Sequence, residues 1–102
     1  MRTIPALRIP REPLAEFCHR HHISMLALFG SVLRQDFRPD SDVDVLVEFE
    51  PGHTPGLAFF QMEEELSKLL RRKVDLNTPQ FLSPRIRKEA QAEAEVLFGP
   101  QR

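Results

Sequence analysis

The segment DVDVLVEF at residues 42–49 limits the fold more than any other part of the chain. Side chains of an extended strand alternate between two faces, so Val43, Val45, Val47 and Phe49 share one face and Asp42, Asp44, Leu46 and Glu48 the other. Strict alternation of this kind reads as a strand with its valine face against a core. The aspartates are thereby pinned to one side with Cα atoms about 6.6 Å apart. No basic residue stands between them. Two carboxylates held together repel, and removing them from water without a counter-charge is costly. A divalent cation resolves the conflict, and Mg²⁺ is the hard ion best matched to a few carboxylates plus phosphate oxygens. Asp75, central in the alternating segment KVDLN at 73–77, is a candidate third ligand or a general base.

Upstream, SMLALF at 24–29 is an almost wholly apolar run that ends in glycine, as a strand buried on both faces does. Gly30-Ser31 then opens SVLRQDF, which can form about two helical turns before Arg38-Pro39-Asp40-Ser41 breaks them. Glycine at a strand-to-helix junction permits close backbone approach and aims free N–H groups at an anion. Ser31 can add a hydroxyl donor. Arg34 lies about one turn further on the same side, where a guanidinium can clamp a phosphate.

The other elements frame this core. Leu14, Phe17 and Cys18 give a helix over about 13–22, and Phe59, Met62, Leu66, Leu69 and Leu70 give another over about 57–72. Ser83 as N-cap and Pro84 at the first helical position introduce a last helix, and EVLF at 95–98 is a candidate fourth strand. Short strands alternating with helices predict an α/β or α+β sandwich with a mixed sheet. At 102 residues the chain has room for one core, so a single domain is expected over 1–102, with residues 1–10 as an extended arm.

A net charge of -1, from 14 basic and 15 acidic residues, supplies no general field for nucleic acid or membrane, so a bound nucleotide must be held locally. No run approaches the roughly 20 apolar residues of a membrane span, and the expected compartment is the cytoplasm. One cysteine, Cys18, excludes an internal disulfide and reads as a packing residue. His19, His21 and His22 suggest a metal, but imidazoles are also favoured at a helix C-terminus, which is the weightier reading. Arg71, Arg72 and Lys73, and Arg85, Arg87 and Lys88, form two basic patches that are ordinarily solvated faces, with partner docking as the second reading. Phe59 and Phe60 fall on different helix faces, so one of them is an exposed candidate anchor.

GSVLR followed by RPDSDVDVLVEF resembles the nucleotidyltransferase superfamily that includes DNA polymerase β and kanamycin nucleotidyltransferase. More closely, Leu14 to Phe98 is similar to the minimal nucleotidyltransferase antitoxins paired with HEPN-type RNase toxins, through FGSVLR, FRPDSDVDVLVEFEPG, KVDL and LSP. That resemblance implies a nucleotidyltransferase fold, a small mixed sheet flanked by about four helices. It implies transfer of AMP from ATP, with two Mg²⁺ ions, to a tyrosine hydroxyl of the toxin. Gly30, Ser31, Arg34 and Ser41 would bind nucleotide, and Asp42, Asp44 and Asp75 would hold metal and act in catalysis. The chain contains no tyrosine, so a tyrosine acceptor must come from a partner. The alternative is a non-catalytic antitoxin that neutralises its toxin by binding. A third reading, an antibiotic-modifying subunit, lacks a second domain to hold such a substrate. Base preference and a homo-oligomeric state are left open by the sequence.

Overall fold

In a computed structural model of the protein, the described residues are 9–33 and 42–99, with only the backbone described for Ser31. Helix α1 (Arg11–Arg20) begins where Pro10 ends the preceding chain, and the Leu14 N–H donates to the Pro10 carbonyl at 2.9 Å. Its buried stripe is Leu14, Phe17 and Cys18, the spacing read from the sequence. Strand β1 (Ile23–Phe29) follows, then a 3-10 turn (Gly30–Leu33), strand β2 (Val43–Phe49), helix α2 (Ala58–Leu70) and strand β3 (Val74–Asn77). A second 3-10 turn (Pro79–Phe81) leads to helix α3 (Pro84–Glu93) and strand β4 (Glu95–Phe98).

The sheet runs β3-β2-β1-β4. β1 is antiparallel to β2 and β4, whereas β2 and β3 are parallel, joined by α2 as a crossover. The sheet is therefore mixed, and β4 is a strand. Among the described residues three α-helices flank the sheet. The segment opened by Gly30 starts as a four-residue 3-10 turn, and its continuation lies outside the described residues. So does the arm at 1–10, except for Ile9, which packs on the core, and Pro10.

The two sheet faces carry different loads. Val43, Val45, Val47, Leu26, Leu28, Val74 and Leu76 face α1 and α2 and form the main core with Phe17, Met62 and Leu66. The opposite face is thinner: Met25, Ala27, Phe29 and Leu46 meet α3 through Ala90. Ser83 caps α3 by accepting the Ile86 N–H at 3.4 Å, with Pro84 at the first position.

β3 is an edge strand, and its outward N–H groups would otherwise be open to pairing with another chain. Both are taken by side chains of α2: Val74 N–H donates to Ser67 Oγ at 3.0 Å and Leu76 N–H to Glu63 Oε2 at 2.8 Å. Those bonds fix β3 to the helix that delivers it. They also set where Asp75 lies.

Candidate active site

Three strands present one row of residues. Phe29 of β1 is the register partner of Asp44 of β2, and Asp44 is the partner of Asp75 of β3. In-register residues of neighbouring strands share a face with a spacing of roughly 4.8 Å. Because Val43, Val45, Val74 and Leu76 are spent on the main core, Asp44 and Asp75 both face the α3 side. Asp42 lies two residues before Asp44, and the ladder continues there through the Val43 N–H to the Lys73 carbonyl at 2.8 Å. Asp44 is half-buried, and Asp42 and Asp75 are exposed. Carboxylates gathered at one sheet end and open to solvent are the donor set that a hard divalent ion takes. No ring nitrogen or thiol competes in that row.

Gly30 ends β1 beside this row with φ +77°, a backbone state that L side chains rarely adopt. Its lack of a side chain has a second use. A Cβ at this position would collide with Oδ2 of Asp44, so the carboxylate lies directly across the turn. The Gly30 N–H donates to Oε1 of Glu93 at 3.3 Å. An amide expected to meet a phosphate thus already attracts an anionic oxygen. The Ser31 backbone continues the 3-10 turn, while Arg34 and Ser41 lie outside the described residues.

Beside Asp75 opens a groove of about 910 Å³ between the 54–56 loop, the start of α2, the Pro79–Phe81 turn and α3. Phe59, Phe60 and Phe81 make its apolar part, and Asp75 and Arg87 its charged part. Phe60 is the aromatic left exposed, at 66%, while Phe59 is buried; Phe81, at 70% exposed, stacks edge-on to Phe59. Arg87 is not a free member of a basic patch. Its Nε donates to the Pro79 carbonyl at 2.7 Å and its Nη2 to the Leu82 carbonyl at 3.3 Å, which aims the guanidinium into the groove wall. The helical spacing of Arg85, Arg87 and Lys88 carried no sign of this, since the carbonyls belong to an irregular turn.

The three clustered histidines separate. His21 binds Glu65 at 3.1 Å, beside an Arg20–Glu65 ion pair of 2.6 Å that holds the Glu65 carboxyl below its ordinary range. His19 packs edge-on against Phe98, and His22 stacks on His53. Cys18 is fully buried, and that burial pushes its thiol up to about 12, so it is a packing group. Among the described residues no helix is long and apolar enough to cross a membrane.

Residues 11–97 match the nucleotidyltransferase domain family. A Methanocaldococcus jannaschii protein provisionally named a protein adenylyltransferase is 36% identical over 76% of this chain and 91% of its own length. The protein adenylyltransferase MntA of Thermococcus cleftensis is 42% identical over 60% of this chain and 61% of its own. A solved structure described provisionally as a minimal nucleotidyltransferase superposes with a TM-score of 0.69 at 39% identity, over 83% of this chain and 86% of that one. Two more distant structures share the fold. A toxin–antitoxin crystal structure with AMP-PNP has a TM-score of 0.73 at 19% identity, covering 91% and 76%. A tri-AMPylated Shewanella oneidensis HEPN toxin in complex with its MNT antitoxin has 0.64 at 19%, covering 89% and 71%. A glycine turn set against an aspartate on the next strand, in a mixed sheet of this topology and with these relatives, places the chain in the nucleotidyltransferase family.

Proposed function

We propose that the protein is an antitoxin that transfers AMP from ATP to a tyrosine hydroxyl of a HEPN-type toxin. The observation that carries this reading is the register of Asp44 with Asp75 beside the Gly30 turn. Relatives named as protein adenylyltransferases, and the AMPylated toxin bound to its antitoxin, support the substrate and the partner. The chain itself has no tyrosine to modify.

Asp42, Asp44 and Asp75 would hold Mg²⁺, which when bound supplies positive charge for the phosphates and the reacting hydroxyl. The rest falls to the chain's own groups. The Gly30 N–H, now on Glu93, would turn to a phosphate oxygen. Ser31, Arg34 and Ser41 would complete the nucleotide contacts. Asp75, exposed at the mouth of the groove, would accept the proton of the tyrosine hydroxyl as that oxygen attacks the α-phosphorus and pyrophosphate leaves. The groove beside it, with Phe60 and Phe81 on its rim, would receive the segment that carries the tyrosine. The reaction would take place in the cytoplasm.

The test is intact-mass measurement of a HEPN-type toxin incubated with this protein, ATP and Mg²⁺. A gain of one or more AMP units is expected, and Asp42→Asn with Asp44→Asn should abolish it. An unlabelled toxin that is nonetheless silenced would establish the binding-only antitoxin in its place.

A further inference from the structure

We propose that His22, Glu50 and His53 form a second metal site, selective for a borderline divalent ion such as Zn²⁺ and separate from the carboxylate row. The three side chains come from two turns that meet at one end of the sheet. His22 follows α1 with φ 55°, a left-handed state uncommon for a residue with a side chain. Its carbonyl accepts the Glu50 N–H at 2.9 Å, which extends the β1–β2 pairing by one step beyond Ile23 and Phe49. The His53 N–H donates to the Glu50 carbonyl at 3.0 Å and folds the loop back. The backbone thereby brings His22 beside two potential ligands of one later loop, Glu50 and His53.

Their side chains converge as well. His22 Nδ1 lies 3.6 Å from Oε1 of Glu50, and the His22 and His53 rings stack with centroids 3.9 Å apart and an angle of 16°. One donor atom from each residue lies within 4.8 Å of the others. Donors at about 2.0–2.2 Å from a shared tetrahedral Zn²⁺ stand roughly 3.3–3.6 Å apart, so closing the site draws the donor atoms together by up to about 1.5 Å. All three side chains are exposed and can make that shift by rotating. Two imidazoles and one carboxylate suit Zn²⁺, with water completing the shell, and suit Mg²⁺ poorly because it demands oxygen ligands.

Position separates this site from the first and gives it a use. Glu50 and Asp44 lie at opposite ends of β2, roughly 20 Å apart at strand spacing. His53 is followed at once by Thr54, Pro55 and Gly56, which wall the groove beside Asp75. An ion held by His22 and His53 would therefore clip that wall to the α1–β1 turn. The site is independent of the proposed transferase activity.

Tag-free protein, with Mg²⁺ in excess to occupy the carboxylates, is titrated with Zn²⁺ against a colorimetric chelator, and Co²⁺ is followed by its visible absorption. One equivalent of Zn²⁺ is expected, with a rise in thermal midpoint that Mg²⁺ alone does not give. His53→Ala should weaken binding by at least about tenfold, the lower end of what loss of even an outer partner costs a metal site. His22→Asn should do the same, since asparagine tolerates the left-handed backbone and keeps the turn folded. His19→Ala, outside the cluster, should bind as the parent does. No Zn²⁺ bound at micromolar concentration, or binding that survives both cluster variants, overturns the proposal.

Discussion

Replacing Gly30 by alanine separates two roles of one residue when it is paired with the same change at Gly52. Both glycines have positive φ, +77° and +82°. For an L side chain that state costs about 1–2 kcal/mol, offset by about 0.4–1 kcal/mol from the stiffer unfolded chain. The net loss is about 1 kcal/mol, or about 4–8 °C of midpoint for a domain near this size. Surroundings differ. Nothing lies within 4 Å of a Cβ at Gly52, whereas one at Gly30 meets the Asp44 carboxylate. Gly52→Ala should therefore lose stability alone. Gly30→Ala should lose at least as much stability and also displace Asp44, and a carboxylate misplaced by about 1 Å can cost on the order of a hundredfold in rate. Thermal melts and toxin labelling, the latter run well below both midpoints, give the two readouts. If Gly30→Ala labels the toxin as fast as Gly52→Ala does, the Gly30–Asp44 contact has no catalytic meaning.

Three further outcomes follow from described contacts. Glu63→Ala removes the acceptor for the Leu76 N–H, which should cost about 1–3 kcal/mol in denaturant unfolding and speed amide exchange along β3. Glu93→Ala frees the Gly30 N–H; the KM for ATP should fall with kcat little changed, and a raised KM would mean that Glu93 helps to bind nucleotide. Burial pushes the Cys18 thiol up from 9.0 to about 12. A raised value favours the folded state below the ordinary thiol range and loses that advantage with rising pH, so Cys18 should add to base-induced unfolding between about 9 and 12. Cys18→Ala should flatten that limb, and native protein should resist thiol reagents at neutral pH.

The valine alternation of β2 made its faces legible, because one slip would have put Val43, Val45 and Val47 into water. The stripe of α2 and the Ser83-Pro84 start of α3 were readable for similar local reasons. The pairing of Asp44 with Asp75 was not. Parallel register depends on a crossover and on Glu63 and Ser67 reaching the edge of β3, and neither leaves a local pattern. The groove escaped as well, since its walls come from irregular segments at 54–56 and 79–81. His19, His21 and His22 looked like a group because they are adjacent in sequence. Helix geometry and the turn at His22 send them to three different neighbours.

The crossover from β2 to β3 divides the acidic groups between two stretches of chain, with all of α2 in between. A nascent chain that has left the ribosome only as far as Phe49 displays Asp42 and Asp44 but has nothing to set opposite them. Asp75 comes to lie beside Asp44 only when α2 has docked and carried β3 alongside. The proposed site and the completed fold would therefore arrive together, and a single cut between 50 and 57 would part the halves without touching an acidic residue of the row.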